Sequence, residues 1–150
     1  MNPTNKATAP RRIAIVANTS HKTHLIEWAF LNKEILRKQQ LFANGKTAQV
    51  LEGTLNVPVT ELASRTLGGY RDLIKLINKE QVDMLFVLNY DQISEKRQKQ
   101  VSELLQSAME QNIIVAPNLA TAEIVMSTLE EAGSSTEGRD DNGNHLSAVV

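Results

Sequence analysis

Short runs of consecutive apolar residues alternate along this chain with longer stretches whose apolar residues recur every three or four positions. Ile13-Ala14-Ile15-Val16-Ala17 is a continuous apolar run, the pattern of a strand buried on both faces of a parallel sheet. From His24 to Gln39, Leu25, Ile26, Trp28, Ala29, Leu31, Ile35 and Leu36 recur at helical spacing, with Lys and Glu elsewhere, which predicts an amphipathic helix. Trp28 falls on its apolar stripe, so core or subunit interface is the expectation for it. A second strand is expected over roughly Gln40 to Ala43. A helix from about Thr47 is expected to stop near Gly53, because glycine readily terminates helices, and Asn56-Val57-Pro58-Val59 is expected to be extended. Tyr70 to Glu80 carries Leu73, Ile74, Leu76 and Ile77 at helical spacing. Val82 to Leu88 is the most apolar run and the candidate central strand. A helix over about Ser94 to Gln111, a buried-type strand at Ile113 to Ala116 and a last helix at Thr121 to Ala132 complete the pattern.

Strands alternating with helices imply an α/β architecture around a mostly parallel sheet. Residues 1–10 lack periodicity and read as a disordered lead-in, 11–132 as the domain, and the polar Gly/Ser/Asn/Asp-rich 133–150 as a flexible tail. A length of 150 residues with 41% hydrophobic and 22% charged residues suits one domain with one core. The net charge of −1 argues against general binding of nucleic acid, which leaves a basic excess across a face. With no cysteine, thiol chemistry and thiolate metal sites are excluded, and three histidines without acidic partners at ligand spacing give no metal site and no cofactor to propose. No apolar run approaches membrane-spanning length and no signal core is present, so a soluble cytoplasmic protein with no membrane partner is expected.

The candidate chemistry gathers between Leu41 and Tyr70. Ala43-Asn44-Gly45-Lys46-Thr47 lies between the apolar pair Leu41-Phe42 and Ala48-Gln49-Val50-Leu51, and reads as a strand end, a tight turn and the first turn of a helix. Free N–H groups at such a helix start, the positive end of the helix dipole, the Thr47 hydroxyl and the Lys46 ammonium together suit a phosphate. Ser64-Arg65-Thr66 before Leu67-Gly68-Gly69 is a second hydroxyl-plus-glycine turn. Asn89-Tyr90-Asp91 follow the most apolar run, at the strand end where open parallel sheets place ligands.

From Arg12 to Thr128 the chain resembles the methylglyoxal synthase family and the wider group of similar domains that includes the regulatory domain of carbamoyl phosphate synthetase. The matching segments are IAIVA, Lys22, LFANGKT, LNVPV, SRTLGGY, VDMLFVL and NIIVAPNLATAEIVMST, in that order. The resemblance implies a doubly wound α/β fold with helices on both faces of the sheet, and a homo-oligomer, a hexamer among the synthases. It also implies chemistry on dihydroxyacetone phosphate: a carboxylate removes a proton beside the carbonyl, a histidine moves protons at the enediol oxygens, and phosphate leaves. The family's phosphate-binding positions fall on Lys22, Asn44, Lys46, Thr47 and Ser64, with Arg65 where the family has glycine. The catalytic aspartate position, directly after Gly68-Gly69, holds Tyr70. A tyrosine ordinarily titrates at about 10 and is neutral at pH 7. The first histidine position holds Asn18, and the second falls on Arg97.

The resemblance therefore implies a phosphorylated small molecule, a metabolite or nucleotide, held by Lys22, Asn44, Lys46, Thr47, Ser64 and Arg65. Asn18, Gly68, Gly69, Tyr70 and Arg97 are expected as further contacts, Tyr70 by stacking. Three readings stay open at this stage: a non-catalytic sensor or regulatory module, an active synthase whose base has moved to Asp72 or Asp91, and a structural protein with a vestigial pocket.

Overall fold

The computed structural model describes residues 9–18, 22–62, 70–88 and 95–138, with only the backbone of 132–138. Its elements in chain order are β1 (Arg12–Ala17), α1 (Lys22–Leu31), α2 (Lys33–Leu36), β2 (Gln40–Asn44), α3 (Gly45–Leu55), β3 (Thr60–Leu62), α4 (Arg71–Asn78), β4 (Met84–Leu88), α5 (Glu95–Glu110), β5 (Ile114–Ala116) and α6 (Leu119–Gly138). The five strands form one sheet in the order β3-β2-β1-β4-β5, with every neighbouring pair parallel. Side chains alternate across it. Ile13, Ile15, Leu41, Met84, Phe86 and Leu88 face one way, covered by residues of α1, α2, α3 and α6. Ala14, Val16, Phe42, Leu85 and Val87 face the other, covered by α4 and α5. Helices on both faces of a parallel sheet make the fold doubly wound. Trp28 belongs to the first core, its ring edge-on to Phe86 with centroids 5.9 Å apart.

Several local readings of the sequence are corrected by the structure. The single helix expected from His24 to Gln39 is two, because the Asn32 side-chain amide donates to the Trp28 carbonyl at 2.8 Å and the backbone leaves helical geometry there. Gly53 does not end α3. A side chain at that position would meet nothing within 4 Å, and the helix runs on to Asn56, whose left-handed backbone (φ 57°) returns its N–H to the Glu52 carbonyl. The stretch after it pairs as a strand only from Thr60, beyond the residues expected to be extended. The middle strand is β1, with β4 beside it; both are buried on both faces, so apolarity alone does not rank them. β5 is an edge strand and its Ile114 is exposed. α6 begins two residues earlier than expected and continues to Gly138. No helix among the described residues is long and apolar enough to cross a membrane.

At the amino ends of the strands, Arg12 and Asp83 tie β1 to the approach of β4. The Arg12 guanidinium donates to Asp83 through Nε (3.1 Å) and Nη2 (2.9 Å), the Arg12 N–H donates to the same carboxylate at 2.8 Å, and the Asp83 N–H returns to the Arg12 carbonyl at 2.7 Å. The side-chain hydrogen bonds from Arg12, then its backbone N–H and the nearby positive charges, hold the Asp83 carboxyl below its ordinary range against the opposing effect of burial. A carboxyl whose folded value is depressed adds stability above its unfolded value, and loses it as pH falls through the folded value. Both side chains are about one-third exposed, so the expected cost of Asp83→Asn at neutral pH is modest, about 1 kcal/mol. Urea midpoints of the two proteins should differ at neutral pH and converge only in acid, once the pH has fallen through the depressed folded value of Asp83.

Candidate functional site

The chain reverses direction across the sheet between β1 and β4, and a crevice at such a switch point lies outside the carboxyl ends of the strands. Ala17 pairs with Leu88 there, and β2 ends alongside at Asn44. Helix α3 starts with no intervening loop. Its first backbone N–H groups have no acceptor within the helix, and the side chain of Asn44, at the capping position, makes no capping hydrogen bond. The positive end of the α3 dipole therefore opens at the carboxyl edge of the sheet beside β1.

Two polar side chains are buried at this helix start. Thr47 is 2% exposed and turned inward with Ala48 and Leu51. Asn44 is 9% exposed, and strand alternation sets it on the same face as Phe42, opposite to Ala43. Its amide Nδ2 is buried and has no hydrogen-bond partner. A buried donor without an acceptor costs roughly 1–3 kcal/mol, so this one is kept at a net loss to the fold. Lys46, between the two, is exposed, and Lys22 stands exposed at the start of α1, which follows β1.

Lys22, Asn44, Lys46 and Thr47 all lie near the carboxyl edge of two neighbouring strands, Lys22 in α1, Lys46 and Thr47 in α3, and Asn44 at the end of β2 with its side chain on the second face. Asn18, just beyond β1, is half-buried at the same edge. Asp72 and Arg97, both half-buried, lie in the first turns of α4 and α5, on the second face. Ser64, Arg65, Gly68, Gly69 and Asp91 lie outside the described residues. Tyr70, expected to stack on a ligand, is 3% exposed and packed in the second core with Ala14, Val16 and Leu73. Its ring is thus almost wholly buried in this structure. Among the described residues no group of three or more His, Asp or Glu stands together as a metal site.

One residue at this edge escaped the sequence reading. Glu61, paired with Ala43 in the β2–β3 register, carries its carboxylate to the start of α3, where Oε2 lies 3.2 Å from the place a Cβ on Gly45 would occupy. Only the pairing of 60–62 with 42–44 would have signalled it.

The fold has counterparts among known proteins. No family model matches it. A methylglyoxal synthase of Coxiella burnetii is 36% identical over 119 residues, covering 79% of this chain and 82% of that protein. That of Bacillus licheniformis is 31% identical over 120 residues, covering 80% and 88%. The crystal structure of methylglyoxal synthase from Elizabethkingia anophelis superposes with a TM-score of 0.67 at 27% identity, covering 79% of this chain and 78% of that one. The chain belongs to the methylglyoxal synthase family.

Proposed function

We propose that this protein is a phosphate-binding member of the family that no longer carries out the synthase reaction, and serves as a sensor of a phosphorylated metabolite or nucleotide. The observation that carries the proposal is Tyr70. At the position where the family resemblance expects the carboxylate base, the chain has a phenol side chain packed into an apolar core. Neither the residue type nor its burial suits removal of a proton from carbon. The phosphate side of the site is supported independently: Lys22, Asn44, Lys46 and Thr47 stand at the helix starts, and Asn44 holds an unused donor. With Asn18 and Arg97 at the two positions where the resemblance expects histidine, neither position offers an imidazole to the enediol oxygens.

The names of the relatives favour a second reading, an active synthase converting dihydroxyacetone phosphate to methylglyoxal and phosphate. In that case Asp72 or Asp91 is the base.

Incubating the protein with dihydroxyacetone phosphate separates the two. The expected result is methylglyoxal no higher than in a buffer blank, together with a rise in melting temperature on adding phosphate. A ligand at about a hundred times its Kd adds about 2.7 kcal/mol, enough to move the melting temperature by several degrees. Turnover above the blank overturns the proposal and directs mutagenesis to Asp72 and Asp91.

A further inference from the structure

We infer that Glu61 sets the ligand selectivity of this site, disfavouring a bare phosphate and favouring a phosphate ester that carries a hydroxyl beside the phosphate. The inference rests on the phosphate-binding reading above.

Its starting point is the close approach across the β2–β3 pair. Glu61 lies opposite Ala43 in the parallel register, and its Oε2 reaches over the first residue of α3, 3.2 Å from where a Cβ on Gly45 would stand. A glycine at position 45 leaves that approach open, whereas a Cβ there would push the carboxylate aside by a few tenths of an ångström. Although it lies against the helix start, Glu61 does not cap it: α3 has no side-chain cap. Among the described residues it makes no ion pair either; the pair formed there, Arg12 with Asp83, lies at the other end of the strands. An exposed, unpaired carboxylate thus stands at the start of α3, on the Ala43 face of the sheet, beside first N–H groups that the capping residue leaves free.

Two consequences follow from its charge. A second anion brought to the same helix start is repelled, and the repulsion is felt more strongly where protein displaces water. A carboxylate is also an acceptor with several lone pairs, so a ligand hydroxyl next to the phosphate gains a charge-assisted hydrogen bond that offsets the repulsion. Lys46, adjacent in the chain, then serves the phosphate while Glu61 serves the hydroxyl. The site discriminates between ligands of equal charge by the donor they carry.

Methyl phosphate and glycerol 3-phosphate test this directly, since both are phosphate monoesters and only the second carries hydroxyls. Calorimetric titration of the wild-type protein should show glycerol 3-phosphate binding about tenfold more tightly, the equivalent of about 1.4 kcal/mol. In Glu61→Gln, a substitution at an exposed position, methyl phosphate should bind several-fold more tightly and the preference should fall to about twofold or less. An unchanged preference, with both ligands bound, would overturn the role of Glu61 and leave the phosphate site standing. Failure of both proteins to bind either ligand would overturn the phosphate-binding reading, and the inference with it.

Discussion

Phe86→Ala is expected to destabilise the protein by about 3–5 kcal/mol, the range for truncating a fully buried aromatic residue. Phe86 is 0% exposed on β4, between Ile15 of β1 and Ala116 of β5 in the parallel register, and its ring meets the edge of Trp28 from α1. One side chain therefore joins three adjacent strands to the helix that covers them. Removing it takes away transfer free energy and leaves a cavity that no single neighbour can fill, since Ile15 and Ala116 are held by their ladders. Domains of this kind are stable by about 5–15 kcal/mol in total, so the variant should melt far lower or fail to accumulate folded. Urea denaturation measures the effect; a loss under about 1 kcal/mol would mean that the core around Phe86 collapses freely. Trp28→Phe should cost much less. It retains an aromatic edge and removes an indole N–H that is buried without a hydrogen-bond partner.

The same region shows what kind of information the amino-acid sequence carries. Phe86, Ile13, Ile15 and Leu85 announce buried strands through uninterrupted apolar runs, and Leu73 with Ile77 announces a helix face, because burial pattern is a local property. Strand order is not local. β1 and β4 carry equally buried sequences, and only the crossover from β3 to β4 puts β1 in the middle. Helix ends are settled by single side chains in competition. Gly53 reads as a stop but sits where its missing side chain is simply exposed to solvent, while Asn56 takes the left-handed conformation that ends the helix. At the candidate site, Asn44 and Thr47 stand out because the strand end and the helix start are consecutive in the chain, with no room for the tight turn that the glycine suggested. Glu61 does not, since its approach to Gly45 exists only across a strand pair of distant segments. Tyr70 illustrates the remaining ambiguity: an aromatic residue after two glycines is as suited to a binding platform as to a core, and the packing of α4 against the second face decides for the core.

Asn44→Leu should raise stability and weaken phosphate binding in the same protein. Asparagine is a favoured capping residue worth about 1 kcal/mol when its side chain accepts from the helix N–H groups. Here it makes no such bond, so leucine forfeits no cap, and the exchange replaces a buried, unpartnered amide by an apolar side chain of similar size. The expected gain is about 1 kcal/mol or more, seen as a higher urea midpoint in the absence of ligand. In the ligand-bound protein the sign reverses. A hydrogen bond to a charged group contributes about 1.5–3 kcal/mol, so the affinity for phosphate should fall by about ten- to a hundredfold. Stability retained below its attainable value, at the position where binding is lost, is the signature of a residue kept for its ligand. If the variant gains stability while phosphate raises its melting temperature as much as that of the wild type, the amide of Asn44 is only a packing defect. The start of α3 would then lose its strongest claim to be an anion site. If both change in opposite directions, a donor held ready at a cost to the fold is the physical reason that β2 ends in asparagine.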